Sequence, residues 1–164
     1  MKRYIKADIV DMPDEDEETL VYMAADPNLR PARIQQLFDM HNVYVNMGLA
    51  INPSTPPEML RTFIGADNWQ THSLLAQNPS TPVDILEQLF RKKNFAVDYS
   101  LTRNKNCPAK VLTKIFNKYW NDNDLDDLDA FYLRIEDRKL RQTMFDNIAK
   151  HPNTPAQIKA TITR

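Results

Sequence analysis

At 164 residues the chain has the length of a single domain and can bury roughly 68–70% of its unfolded surface without staples. Its one cysteine, Cys107, excludes an internal disulfide and any multi-cysteine zinc or iron–sulfur site held by this chain alone, and fits a reducing compartment. The net charge is −1 but unevenly spread: residues 1–88 carry 6 Lys and Arg against 13 Asp and Glu, and residues 89–164 carry 15 against 9. The basic start Met1–Asp8 has no apolar run of signal-peptide length behind it, and no stretch nears the ~20 apolar residues of a membrane span. The expectation is a soluble cytoplasmic protein that does not bind membranes.

In chain order, residues 1–17 read as an N-terminal arm. Within it Arg3 to Val10 alternate loosely, as a short strand or a docked arm would. The acidic run Asp14 to Glu18 reads as the solvated first turn of a helix carrying Leu20, Val21, Met23 and Ala24, because acids favour a helix N-terminus.

From residue 18 onward the chain repeats itself. Ile51-Asn52-Pro53-Ser54-Thr55-Pro56 returns as Gln77-Asn78-Pro79-Ser80-Thr81-Pro82 and, worn, as Arg103-Asn104-Lys105-Asn106-Cys107-Pro108. Asp26, Asn52, Asn78 and Asn104 stand 26 apart, and His151 resumes the pattern after a gap of 47. A fixed period of this size marks a stacked-repeat architecture. Only two glycines against eleven prolines suits such a fold better than a loop-rich enzyme.

Each phrase reads as a helix start, with Thr55 and Thr81 as N-caps, Pro56 and Pro82 at the first helical position, and Glu58 and Asp84 closing a capping box. The helix that follows carries an apolar stripe: Met59, Leu60, Phe63, Ile64, then Ile85, Leu86, Leu89, Phe90, then Val111, Leu112, Ile115, Phe116. A second, shorter helix per unit is capped by Asn42, Asn68 or Asn94 and buries Val45/Leu49/Ala50, Thr71/Leu75/Ala76 or Val97/Leu101/Thr102. The Asn-Pro pair then stops it, since the residue before proline is pushed out of the α region.

An insertion of about residues 117–143 precedes the last unit and contains the acidic run Asn121 to Asp129. Counted from Asp122 as a calcium loop, Asp124 and Asp126 fit, but Asp127 replaces the required glycine and Leu133 the required glutamate. The run therefore reads as an acidic surface loop.

The phrase Ala-x-Asn-Pro-x-Thr-Pro of Ala50 to Pro56 and Ala76 to Pro82, followed by an acid and paired aliphatics, resembles the variant leucine-rich repeat family over about residues 18–164. The resemblance implies an all-α, right-handed solenoid of about five units, each stacking a longer helix on a shorter one. The step of 26 is slightly long for that family, and the cysteine cluster of some members is missing, so no iron–sulfur cofactor is implied.

No catalytic, cofactor-binding or metal-binding constellation is read. His41, His72 and His151 share no ligand spacing, and the two glycines, Gly48 and Gly65, form no phosphate loop. Cys107 replaces a threonine cap, and its neighbours Arg103, Lys105 and Lys110 lower a thiol pKa if they lie close; the plainer reading is a drifted cap. The expected role is a protein-interaction scaffold, because solenoids present extended surfaces and Arg61/Thr62, Glu87/Gln88 and Thr113/Lys114 differ between units. The alternative is a phosphate-backbone surface made by Arg91, Lys92, Lys93, Arg103, Lys105 and the stripe Lys110, Lys114, Lys118, with Phe95, Tyr119 or Trp120 to stack a base. An acidic and a basic half also fit head-to-tail self-association.

Overall fold

The computed structural model describes residues 17–120 and 137–163, and among them the chain is all helical with no strand. The ten α-helices are α1 (Glu17–Ala24), α2 (Pro31–Asp39), α3 (Val43–Ile51), α4 (Pro57–Thr62, continued by a 3-10 turn Phe63–Gly65), α5 (Trp69–Gln77), α6 (Val83–Phe90), α7 (Phe95–Arg103), α8 (Ala109–Trp120), α9 (Asp137–Lys150) and α10 (Ala156–Ile162). The arrangement is compatible with an α-solenoid. The strand or arm expected before Glu17 and the acidic run weighed as a calcium loop lie outside the described residues.

Asn42, Asn68 and Asn94 cap as their spacing predicts. Their side chains accept from backbone N–H groups of the first turn of α3, α5 and α7, at 2.8 Å from Tyr44, 2.6 Å from Thr71 and 3.2 Å from Val97. Each such cap is worth about 1 kcal/mol.

The starts after Thr-Pro differ from expectation. α4 begins at Pro57 and α6 at Val83, so the cap residues are Pro56 and Pro82, extended at ψ 143° and 145°, and no side chain caps either helix. Thr55 and Thr81 turn the other way: each hydroxyl donates at 2.7 Å to a carbonyl in the preceding helix, that of Leu49 or Leu75. Those carbonyls belong to the last turn, which lacks intrahelical partners, and the extended Thr-Pro stretch brings the hydroxyl back to them. Asp84 closes no capping box either; it pairs with Arg61 of α4. The expected length difference is not uniform: α3, α5 and α7 have nine residues each, against nine in α2, six in α4 before its 3-10 turn, eight in α6 and twelve in α8.

The apolar stripes meet in one core. Leu60, Phe63, Ile85, Leu86, Leu89, Val111, Leu112, Ile115 and Phe116 are buried, with Met59, Ile64 and Phe90 packed at its margin. From the other row come Val45, Leu49, Ala50, Leu75, Ala76, Val97 and Leu101, all fully buried. Full burial of one leucine or isoleucine contributes about 1.5–3 kcal/mol. α1, α3, α5 and α7 pack in direct succession, and α9 packs on α7, α8 and α10. Gly48 sets the first of these approaches: a Cβ there would lie 2.4 Å from the Val21 carbonyl oxygen and 2.5 Å from the Ala24 Cβ.

Side-chain amides join the units. Asn52 Nδ2 donates to the carbonyls of Ala24 and Asp26, both at 2.8 Å. Asn78 Nδ2 donates to Ala50 at 2.9 Å and Asn52 at 2.8 Å, and Asn104 Nδ2 to Ala76 at 2.8 Å and Asn78 at 2.9 Å. The Oδ1 of each accepts the N–H two residues on, that of Ser54, Ser80 or Asn106. A second rung follows, as Ser54, Ser80 and Asn106 donate to the carbonyls of Pro27, Pro53 and Pro79. At the last joint His151 stands in for asparagine: Nδ1 accepts from the Asn153 N–H at 3.1 Å, so Nε2 carries the proton and donates to the Asn104 carbonyl at 2.8 Å.

Asn78→Ala leaves the Ala50 and Asn52 carbonyls buried without their donor, and the expected loss is about 2–4 kcal/mol of unfolding free energy, read from urea titration. Asn78→Asp keeps the acceptor, loses both donors and should fall at least as far; a loss below about 0.5 kcal/mol in the alanine variant would show that the amide does not hold the joint.

Candidate functional site

The eight basic residues singled out in the sequence fall on α8, in the turn after α6 and at the joint after α7. α8 carries Lys110, Lys114 and Lys118, but each finds a partner within the chain. Lys110 Nζ lies 3.6 Å from Glu87 Oε2 of α6, and Lys114 Nζ sits over the Phe90 ring at 5.9 Å. Lys118 folds inward, 3.4 Å from Asp98 Oδ2, 2.9 Å from the Tyr119 hydroxyl and 4.7 Å from the Tyr119 ring centroid. Arg91, Lys92 and Lys93 are exposed after α6, where Lys93 closes the turn at a left-handed φ of 51°. Arg103 and Lys105 are exposed at the joint after α7.

Of the aromatic residues offered for base stacking, Tyr119 is withdrawn by burial. Its hydroxyl donates to Asp98 Oδ2 at 2.8 Å. Phe95 is half-buried, stacked on Tyr99 and set edge-on to Tyr119. Trp120 keeps one exposed side while stacking on Phe116 at 4.9 Å and meeting Phe145 edge-on at 5.1 Å.

Asp98 went unnoticed as a charged core residue, although the spacing held a signal. Asn46, His72 and Asp98 stand 26 apart, so one slot of α3, α5 and α7 is polar three times over. His72 is buried there, its Nε2 3.1 Å from the Ile64 carbonyl. Burial pushes the His72 pKa below its ordinary value, the Ile64 carbonyl opposes this, and Lys92 and Asp67 add smaller effects of opposite sign.

The lowered thiol pKa weighed for Cys107 does not arise. Its basic neighbours Arg103, Lys105 and Lys110 are exposed, whereas the thiol is fully buried. Burial, helped by the Asp98 charge, pushes the thiol up to about 12. A reactive thiolate is therefore not available at this position.

Two features among the described residues are considered for a ligand. The first position of α3, α5 and α7 holds Val43, Trp69 and Phe95, 26 apart; Val43 is 47% and Trp69 51% exposed. The second is a cleft of about 310 Å³ at the joint of α7 and α9, lined by Arg103, Lys105, Asn147 and Lys150 among others. Sequence reading had Arg103 and Lys105 but not Lys150, which sits 45 residues further on, across the insertion.

Among the described residues no group of three or more His, Cys, Asp or Glu could hold a metal ion, and no helix is long and apolar enough to cross a membrane. Comparison of the chain with family models, with characterised proteins and with solved structures returns no match.

Two titrations test these environments. The unfolded chain binds a proton at His72 at the ordinary pH of about 6.5 and the folded chain only lower, so between those points stability rises with pH and is lost on acidification. His72→Gln should lose less stability than the parent between pH 7.5 and the bottom of that window, as read from urea midpoints; an unchanged difference would contradict a neutral His72. For Cys107, a thiol-specific disulfide reagent at pH 8 should react only at the rate of unfolding, and rapid labelling of the native protein would contradict its burial.

Proposed function

We propose that the protein is a binding scaffold: a right-handed solenoid of about five two-helix units of the variant leucine-rich repeat type, which offers its non-repeating side chains to a protein partner. The row Val43, Trp69, Phe95 carries this reading. The Asn78 and Asn104 bonds tie α5 to α3 and α7 to α5, which supports equivalent positions standing in line along the stack. An exposed tryptophan in such a line is the type of residue that anchors protein interfaces, where truncation costs about 2 kcal/mol or more. The close succession of α1, α3, α5 and α7 supports this row as the inner side of the curve.

A catalytic role has less support, because the buried titratable groups serve the fold. His72 and His151 bond backbone carbonyls, and Asp98 takes the Tyr119 hydroxyl. A phosphate-backbone surface has less support than a protein partner, since Lys110 and Lys118 are ion-paired and Lys114 lies over Phe90.

The test is quantitative affinity capture from the source organism's lysate, with the parent chain and Trp69→Ala at matched melting temperatures. A partner retained by the parent and depleted about 30-fold with the variant is expected. Equal recovery with both proteins would overturn the reading. So would tight binding of short single-stranded DNA or RNA at low salt that is lost on Lys110→Gln and Lys114→Gln.

A further inference from the structure

The joint between α7 and α9 is the one at which the sequence step changes from 26 to 47, and it is where the cleft opens. We propose that this cleft is a binding site for a phosphoryl group, held by Arg103, Lys105 and Lys150 with the Asn147 amide. The proposal does not rest on the Val43–Trp69 row.

Three cationic residues line the cleft, and none of the lining residues is an acid. Among the described residues, Arg103, Lys105 and Lys150 take part in no ion pair, whereas Arg61, Lys110 and Lys118 do. Arg103 and Lys150 stand in the last turns of α7 and α9, where the helix dipole favours a cation by about 0.3–1 kcal/mol. Lys105 lies in the joint and gains nothing of that kind. Three like charges gathered around one cleft repel, and a dianion between them turns that repulsion into attraction.

The neutral side of the cleft also suits an anion. Asn147 Nδ2 makes one long bond, 3.4 Å to Thr102 Oγ1, and has a second N–H to give. Thr102 Oγ1 is itself bonded to the Tyr99 carbonyl at 2.7 Å. Both His151 ring nitrogens are occupied by backbone groups, so the imidazole is part of the floor and not a ligand group. Arginine's planar fork matches two phosphoryl oxygens, and the two lysines add point charges that a monoanionic carboxylate would leave uncompensated. A volume of about 310 Å³ lies at the small end of ligand sites, enough for the group and the first atoms of its carrier. The carrier is a free phosphate compound or a phosphorylated side chain, and the chemistry at the cleft is the same.

The experiment is NMR titration of the full chain with inorganic phosphate and with phosphoserine, using chloride at matched ionic strength as the control. Saturable shifts of the Asn147 side-chain amide and of Arg103 are expected with both phosphates and not with chloride. Arg103→Gln and Lys150→Gln, both exposed and expected to melt with the parent, should each weaken binding about tenfold, the loss of one charge-assisted contact. Tighter binding of phosphoserine assigns the group to a phosphorylated residue, and equal binding to a free anion; either outcome supports the site. Shifts that chloride reproduces, or that survive in both variants, overturn it. So does an oligonucleotide that binds more tightly than phosphate and is weakened by Lys110→Gln and Lys114→Gln but not by Lys150→Gln.

Discussion

Each joint of this fold buries the end of a helix, at every joint but that of Asn104 next to a proline, and at Asn52, Asn78 and Asn104 the asparagine carboxamide is what makes that tolerable. The last turn of a helix leaves carbonyls without partners, proline brings no N–H to offer them, and burial makes each orphan costly. Asn52, Asn78 and Asn104 answer with a planar group that gives two N–H bonds backwards and takes one N–H bond from its own turn. Aspartate has the acceptor without the donors, which is the state of Asp26: it accepts from the Asn28 N–H at 2.9 Å and gives nothing. Histidine keeps one donor and one acceptor at fixed separation, and His151 uses both. At Asn52, Asn78, Asn104 and His151 the side chain faces two ways, and at Asp26 it faces one.

Much of this was legible in the sequence, and the errors have a common cause. Local rules worked where the partner is local: Asn42, Asn68 and Asn94 cap helices because their acceptors lie two or three residues from the donors they serve. The Thr-Pro-x-x-acid phrase mimics a local capping box, yet Thr55 and Thr81 serve a carbonyl six residues back in the previous helix. Spacing alone does not tell a hydroxyl that closes its own helix from one that closes the helix before.

The same distinction divides the basic residues. Lys110, Lys114 and Lys118 read as a stripe because they are four apart on one helix, but their fate is set by Glu87, Phe90 and Asp98, some 20 to 24 residues earlier. Arg103 and Lys105 gained a neighbour in Lys150, which only the return of α9 to α7 supplies. Within the period, contact partners can be counted off; across the insertion they cannot.

The departure from period also has a structural price at the α7–α9 joint, and that connects framework to binding. Asn104 reaches two carbonyls of the preceding unit, while His151 reaches only one. Asn153 extends the second rung, but to the Lys105 carbonyl at 3.4 Å and that of Cys107 at 3.0 Å, where Ser54 and Ser80 make bonds of 2.6 Å. The joint keeps three bonds to the preceding unit, as the regular joints do, but one of them is long, and the cleft lies at this joint. Its walls are still fixed by the regular units on the α7 side, so a ligand there meets groups already in position and little ordering entropy is lost on binding. On the proposed reading the repeating polar residues hold the frame, and binding is assigned to the positions where the repetition changes: the first residues of α3, α5 and α7, and the joint at His151.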